Sequence, residues 1–404
     1  MKRIPLVFTL VLAIGSPGSA QTQSSPRDLS LPEVISLALN RNLSLKRSEI
    51  QVQLRENTVV AEKAGFGPNL TASAGGTLRY AGDSRSPVWE SGDLSDSANA
   101  GLSSSISLYQ GDELVASLEQ AKASLEASQK DFDRSKQSIL FQAVARYLEA
   151  DLRLKQIDIE TEELGTRMEN LESIQVNYEN EIRIFADVQR QRALVADSER
   201  RLAVSRRGYE ASLYLLKDLL LLPPATEITL NLGDGEWLQP ENIGEPNVQQ
   251  SLSRIFDRPD LLAQQFRLNA AKQGIRVAES GRKVSVSASA NLRTSYSSNN
   301  QFGNFGTQFF ENQPDASAGI SVSLPIFDRR RTETNVVRAK LQRDQEEIDM
   351  EDLKQAAETD FRLALLNFNS TKLQLNASQE QLSSAEIALE AEQARYDAGA
   401  ATLL

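Results

Sequence analysis

The sequence contains no cysteine and no histidine among its 404 residues. Without cysteine there is no thiol catalysis and no disulfide framework. The absence of both residue types also removes the commonest ligands of zinc and other transition metals. The sequence has no Gly-rich phosphate loop and no nucleophile elbow. We therefore expect no catalytic residues, no metal site and no cofactor, and we do not expect an enzyme.

Aromatic residues and long apolar runs are also scarce. Aromatics make up 6% of the chain and charged residues 25%, a balance that suits long helices better than one thick core. The net charge of −11 disfavours a general nucleic-acid or anionic-lipid binder. Beyond the N-terminus no stretch approaches the 18 consecutive apolar residues of a transmembrane helix. Any later segment that enters a membrane must therefore do so as strands.

The N-terminus has the pattern of a secretory signal peptide. Lys2 and Arg3 precede the apolar run IPLVFTLVLAI, and the small residues Gly18, Ser19 and Ala20 follow it. The run is too short to span a bilayer. We expect a signal peptide over residues 1–20, with cleavage after Ala20.

A short alternating segment occurs twice, 218 residues apart. Residues 98–109 read ANAGLSSSISLY and residues 316–327 read ASAGISVSLPIF. Self-similarity at a fixed offset indicates a repeated structural unit. The sequence therefore predicts two tandem repeats, over residues 21–222 and 251–404. Residues 223–250 would form an equatorial segment and linker, which opens with two prolines.

Long helices dominate each predicted repeat. From Leu114 onward the apolar positions alternate in spacing between four and three, which is typical of helices packed as coiled coil. Helices are predicted over residues 112–177, 190–222 and 330–397. A helix of about 65 residues would be about 100 Å long, far beyond the length of an ordinary globular helix.

Four segments alternate strictly between apolar and small polar residues, at about 69–80, 98–109, 283–296 and 316–327. Period two predicts β-hairpins with one apolar and one polar face. Each segment has about the 9–11 residues that cross a bilayer as a tilted strand. A soluble sheet with one wet face is the alternative. The membrane interpretation predicts these lipid-facing residues: Val284, Val286, Ala288, Leu292, Ile320, Val322 and Leu324.

Four strands cannot close a barrel, because the smallest spanning barrels have eight. Open strand edges are not tolerated in lipid, so several chains must pool their strands. Two chains would give eight strands and three would give twelve. The strand count alone does not choose between them.

Several motifs resemble the TolC-type family of outer-membrane efflux proteins: LPEVISLALNRN, AGLSSSISLYQG, AGISVSLPIFDRRR, RPDL and RYDAGAATLL. The resemblance implies an α+β membrane protein that forms a homotrimer. The trimer would share a 12-stranded barrel in the outer membrane of a Gram-negative bacterium, continuous with an α-helical tunnel through the periplasm. It would dock on a periplasmic adaptor and an inner-membrane pump of the ABC or RND type.

The function that the resemblance implies is a passive exit duct for tripartite efflux or type I secretion, which conducts small molecules or polypeptides. The alternative is a periplasmic coiled-coil adaptor. Adaptors also have signal peptides and long helical hairpins, but they usually have a lipoyl-like β-domain, and this sequence has no such run of short strands.

The resemblance also implies an adaptor-contacting tip at residues 178–189. A glycine is usual at position 181, where this chain has Glu181. Packing between helices is an equal alternative for the two tyrosines of this motif. The residues implied in adaptor contact are Tyr178, Ile182, Arg183, Asp187, Val188 and Gln189, with Tyr396 and Gly399 in the second repeat.

Measured against the first repeat, the second lacks about 40 residues of returning helix after the motif around Tyr396. We therefore expect the second repeat to be incomplete at its C-terminus. A fragment and a natural truncation are both left open by the sequence.

Overall fold

The computed structural model describes residues 27–82, 92–231, 247–299, 303–312 and 314–397. The predicted cleavage site after Ala20 and the predicted tip residue Gly399 lie outside these ranges. Seven helices and six strands occur within the ranges, with a 3-10 turn at Ile255–Asp257 and a π-helical segment at Thr307–Asn312. In chain order the elements are β1 (Arg27–Ser30), α1 (Leu31–Arg41), α2 (Leu43–Ala64), β2 (Asn69–Gly82), β3 (Gly92–Gln110), α3 (Glu113–Glu179), α4 (Phe185–Leu219), β4 (Ile228–Asn231), α5 (Val248–Arg254), α6 (Pro259–Ser280), β5 (Ser285–Ser297), β6 (Asp315–Ser323) and α7 (Arg331–Asp397).

The contacts divide the chain into two compact units. The first unit comprises Met1–Asn42 and Ile139–Ile243, and the second comprises Leu43–Ser138 and Gly244–Leu404. This division by contacts differs from a division by tandem repeats, because the second unit combines segments from both predicted repeats.

The core of the first unit surrounds Tyr147, which is fully buried. Strands β1 and β4 pair in parallel beside it. Its hydroxyl lies 2.8 Å from the carbonyl oxygen of Asn231 and 3.2 Å from that of Leu29, and so links the ends of the two strands. Burial raises the pKa of Tyr147, with Asp151 as a second cause. The apolar residues buried in this core are Leu29, Val34, Ala38, Ile139, Ala143, Leu216, Leu220, Leu222 and Ile228.

Within the first unit, α4 forms a hairpin with the part of α3 that follows Ser138, joined by charged and polar contacts as well as apolar ones. Arg201 of α4 forms an ion pair with Glu163 of α3 and lies 3.7 Å from Glu160 of the same helix. The hydrogen bond from Arg201 lowers the pKa of Glu163. These ion pairs add to the apolar contacts that join the two helices.

In the second unit, helices α6 and α7 pack together around a small core of Ile255, Leu261 and Ala357. Arg258 forms an ion pair with Asp260 at 2.7 Å, and it reaches Asp360 of α7 at 3.5 Å. Helices α2 and α6 each have 22 residues, and α3 and α7 each have 67. Throughout the ranges that the structure describes, the helices are too short or too polar to cross a membrane.

The second unit also contains a four-stranded antiparallel sheet in the order β2-β3-β5-β6. Strand β3 begins at Gly92, six residues before the predicted start. Strand β6 ends at Ser323, four residues before the predicted end. The prediction for this end was wrong because Pro325 has no N–H to donate to a strand ladder. The outer strands of the sheet are β2 and β6.

Candidate functional surfaces: the strand sheet, its helix junctions and the helical turn

The register of the sheet collects the apolar residues on one face. In an antiparallel sheet, residues directly opposite each other lie on the same face. Val286 pairs with Val322, Ala288 with Ile320, and Leu292 with both Leu102 and Ala316. Five of the seven residues predicted to face lipid therefore share one face: Val286, Ala288, Leu292, Ile320 and Val322. The other two, Val284 and Leu324, lie one residue outside the strands.

This apolar face is widely exposed in the chain. Ile320 is 72% and Val322 66% exposed, and Leu70 on the outer strand β2 is equally open. The opposite face is built from small polar residues, with Ser287 opposite Ser321 and Ser289 opposite Gly319. An extended apolar face next to a polar one marks a surface that meets another apolar phase or partner.

An aromatic cluster lies at the end of this face that is remote from the helices. Thr294 donates a hydrogen bond from its hydroxyl to the carbonyl of Phe309. The ring of Phe305 contacts both Tyr296 and Phe309, each at 5.0 Å between centroids. This cluster was not predicted from the sequence, although the four phenylalanines of FGNFGTQFF were a usable signal.

A β-bulge brings Tyr109 onto the apolar face. The register shifts between Ser107 and Tyr109, and Tyr109 then lies opposite Val286. A bulge adds one residue to one strand and so reverses the alternation beyond it. Simple period two would have placed Tyr109 on the polar face. The bulge puts an aromatic side chain at the helix-proximal border of the apolar surface.

Both strand-to-helix junctions contain two successive residues in the left-handed backbone conformation. Gly111 and Asp112 have φ of 58° and 72° between β3 and α3, and Arg329 and Arg330 have φ of 54° and 66° between β6 and α7. The two pairs are related by the same offset as the repeated strand segments. A Cβ on Gly111 would lie 2.5 Å from the Cβ of Lys283, so only glycine fits at this position.

The helical turn between α3 and α4 is a Schellman motif. The Ile182 amide donates to the carbonyl of Asn177 at 2.8 Å, and the Glu181 amide donates to that of Tyr178 at 3.0 Å. Glu181 has φ of 65°, the left-handed conformation that glycine adopts at least cost. The chain therefore forms this turn with a glutamate at the position where the resemblance leads one to expect glycine.

The turn exposes an apolar group. Ile182 is 69% exposed, Ile184 and Phe185 are similarly open, and the Tyr178 ring lies 6.0 Å from that of Phe185. Gln189 is exposed, and Arg183 lies 4.0 Å from Asp187. Ile184 and Phe185 were missed by the sequence analysis, although the apolar residues of EIRIF were visible there. The side chain of Tyr396 is outside the part that the structure describes.

Val188 was wrongly predicted as an exposed contact residue, since it is only 3% exposed. It begins the buried seam of α4, which continues at Gln191, Val195, Ser198 and Leu202 with alternating three- and four-residue spacing. This seam faces α3, because the Gln191 side-chain amide donates to the carbonyl of Arg167 at 3.1 Å. Val188 packs helix against helix.

One unit thus contains a long helical hairpin, and the other contains an amphipathic sheet whose apolar face is exposed in the chain. Residues 34–220 and 249–404 match the family of outer membrane efflux proteins. The chain belongs to this family. It is a duct and not an enzyme, and it is located in the outer membrane of a Gram-negative bacterium with an extension into the periplasm.

Individual relatives agree with this assignment. The pyoverdine export outer membrane protein OpmQ of Pseudomonas aeruginosa is 26% identical over 404 residues, a match that covers 97% of this chain and 82% of that protein. A membrane protein from Pseudomonas aeruginosa has the same fold with a TM-score of 0.78 at 20% identity, covering 92% of this chain and 83% of the other. The Campylobacter jejuni CmeC outer membrane channel gives a TM-score of 0.76 at 19% identity, covering 92% and 78%.

Proposed function

We propose that three copies of the chain pool their strands into one 12-stranded barrel in the outer membrane, continuous with an α-helical tunnel. The observation that carries this proposal is the four-stranded sheet, with its exposed apolar face and its outer strands β2 and β6. Four strands are too few for a closed barrel, and lipid does not tolerate open strand edges. Pairing β2 of one copy with β6 of the next removes every edge.

The proposed architecture is two tandem repeats, over residues 21–222 and 251–404, joined by an equatorial segment and linker at 223–250. The helices support it, because α2 and α6 have equal lengths and α7 begins 218 residues after α3. The paired left-handed residues at both strand-to-helix junctions support it as well. The remaining proposed boundary is a signal peptide cleaved after Ala20.

The duct is passive, and it serves a tripartite efflux or type I secretion system. A periplasmic adaptor and an inner-membrane pump, of the ABC or RND type, supply the substrate. The exposed apolar turn around Ile182 is the proposed adaptor contact. The relative named for pyoverdine export favours a small secreted molecule over a polypeptide as cargo. The alternative role, a periplasmic adaptor, is disfavoured by membership of the efflux protein family.

Cross-linking between outer strands tests the proposed assembly, since the native chain has no cysteine to interfere. We would replace Ala72 in β2 and Ala318 in β6 by cysteine in one chain and treat membranes with a flexible bis-maleimide. Linked trimers are expected, because β2 and β6 of neighbouring copies would be adjacent. If the largest cross-linked species is a dimer, the barrel has eight strands and the trimer is refuted.

The matched control keeps Ala318→Cys and moves the other cysteine to Ala100, in the inner strand β3. Within one sheet β3 is already paired on both sides, with β2 and β5. The control should therefore give far less linkage between copies. Equal linkage of both variants would show that the reagent reports random collisions.

A further inference from the structure

The segment between β6 and α7 exposes apolar side chains directly before a run of cations. Ile326 is 95% and Phe327 84% exposed, although both are large and apolar. Three exposed arginines follow, Arg329, Arg330 and Arg331. Such a combination is unusual for a surface that faces only water, because apolar side chains of this size gain by leaving it.

The positive charge of this run is only partly neutralised by nearby carboxylates. Arg330 lies 3.9 Å from Glu333 with an 84% exposed side chain, and neither Arg329 nor Arg331 forms an ion pair with a described residue. The Asp328 carboxylate accepts a hydrogen bond from the Thr332 amide at 2.8 Å. Hydrogen bonding from Thr332 holds the pKa of Asp328 below its usual value, so this carboxylate is ionised but engaged by the first turn of α7.

A cavity of about 880 Å³ opens beside the arginines. Its lining residues include Arg329, Arg331 and Arg338. The carboxylates of Glu113 and Asp328 also line it. Its size is in the range of small-ligand sites, and three guanidinium groups suit a phosphate.

The two junctions of the chain differ in charge at this point. The first junction reads Gly111-Asp112-Glu113 and is acidic, whereas the second places arginines at the same repeat positions. Arg329 and Arg330 adopt a left-handed backbone that residues other than glycine rarely adopt. Two cations therefore occupy positions where glycine would adopt the backbone with less strain, which suggests a role for their side chains.

We propose that Ile326, Phe327 and the arginines at 329–331 bind the surface of an anionic phospholipid layer. The apolar pair enters the acyl boundary and the guanidinium groups bind headgroup phosphates, as basic segments beside membrane-embedded elements do. The inference rests on the proposed function, in which β6 crosses the outer membrane, because β6 ends three residues before Ile326. The proposed lipid binding is confined to this segment, since the chain as a whole is acidic and repels anionic surfaces.

The test reconstitutes the full chain into phosphatidylcholine vesicles containing a minor fraction of phosphatidylglycerol. Spin-labelled lipids then report the association of each lipid with the protein. The wild-type chain should prefer phosphatidylglycerol. The variant Arg329→Gln/Arg330→Gln/Arg331→Gln should lose about threefold or more of that preference, and added salt should weaken it in the wild type.

The matched control replaces three exposed arginines of α4, Arg192, Arg206 and Arg207, by glutamine. It removes the same charge and should keep the phosphatidylglycerol preference. Equal loss in both variants would overturn the proposal, because net charge alone would then explain the effect. A chain that does not insert into vesicles, as shown by flotation, would overturn the proposed function and this inference with it. Insertion without any lipid preference would overturn the inference alone.

A second measurement distinguishes lipid from another copy of the chain. Ile326→Cys can be labelled uniquely with a fluorophore, because the chain has no other cysteine. Phospholipids brominated on their acyl chains should quench this label. If a bis-maleimide links two copies through this cysteine, or if the brominated lipids do not quench the label, then lipid is not the occupant and the proposal fails.

Discussion

Val286 and Val322 lie directly opposite each other on β5 and β6, on the apolar face of the four-stranded sheet. Their neighbours Ser287 and Ser321 form the equivalent pair on the polar face. The proposed barrel turns the first pair toward lipid and the second toward the lumen.

Val286→Arg should therefore impair membrane insertion far more than Ser287→Arg. An arginine on the lipid side costs about 2–4 kcal/mol near the midplane, and a lumen-facing one costs much less. Denaturant unfolding of the chain reconstituted in vesicles measures both costs. Equal tolerance of the two substitutions would refute the assignment of faces.

Glu181→Gly should stabilise the turn between α3 and α4. A left-handed backbone costs a non-glycine residue about 1–2 kcal/mol, partly offset by the larger entropy that glycine loses on folding. We expect a net gain of up to about 1 kcal/mol in the free energy of unfolding of the first unit. Chemical denaturation of the detergent-extracted protein measures it.

The matched control places glycine two residues earlier, at the last residue of α3. Glu179→Gly should lower stability by up to about 1 kcal/mol, because glycine is a poor helix former at a helical position. The same sign for both substitutions would mean that the backbone conformation of Glu181 is not the source of the effect.

The long helices and the four alternating segments were accessible from the sequence, because both are periodic signals that extend over many residues. The alternation even assigned side chains to faces, and the register brings Val286, Ala288 and Leu292 together as that alternation requires. Periodicity could not predict the bulge that moves Tyr109 to the apolar face, since a single inserted residue has no periodic pattern.

The burial of Val188 was missed for a different reason. A short apolar residue near a turn can face either solvent or the partner helix, and the choice depends on where the seam of α4 begins. The contact of Gln191 with α3 shows which side of α4 faces the partner helix. Likewise, Ile184 and Phe185 lie among charged residues and have no periodicity, so their exposure depends on the geometry of the turn.

Tyr147→Phe should destabilise the first unit by about 1–2 kcal/mol. It removes the hydrogen bonds to the carbonyl oxygens of Asn231 and of the buried Leu29, while the ring still fills its site. Burial raises the pKa of Tyr147, so its hydroxyl stays protonated and the loss should be constant below about pH 10. Denaturant titrations at several pH values measure this.

The control for this substitution is Tyr214→Phe, at an exposed tyrosine of α4. Removing a solvated hydroxyl should change stability little. A loss that appears equally at Tyr214 would show that the buried hydrogen bond is not responsible.

The last prediction concerns the proposed adaptor contact. Ile182→Asp/Ile184→Asp places two carboxylates in the exposed apolar group of the turn, where they do not need to be buried in the chain itself. Export should be lost while protein level and trimer content stay unchanged, because an apolar contact with the adaptor is removed and the helix pairing is not. Export of the cargo, abundance and cross-linking to the adaptor should be measured side by side.

Val188→Asp supplies the contrast. It buries a carboxylate in the seam between α3 and α4, so protein level and trimer content should fall together with export. If Ile182→Asp/Ile184→Asp also lowers the protein level, then these residues stabilise the hairpin and the docking role is wrong.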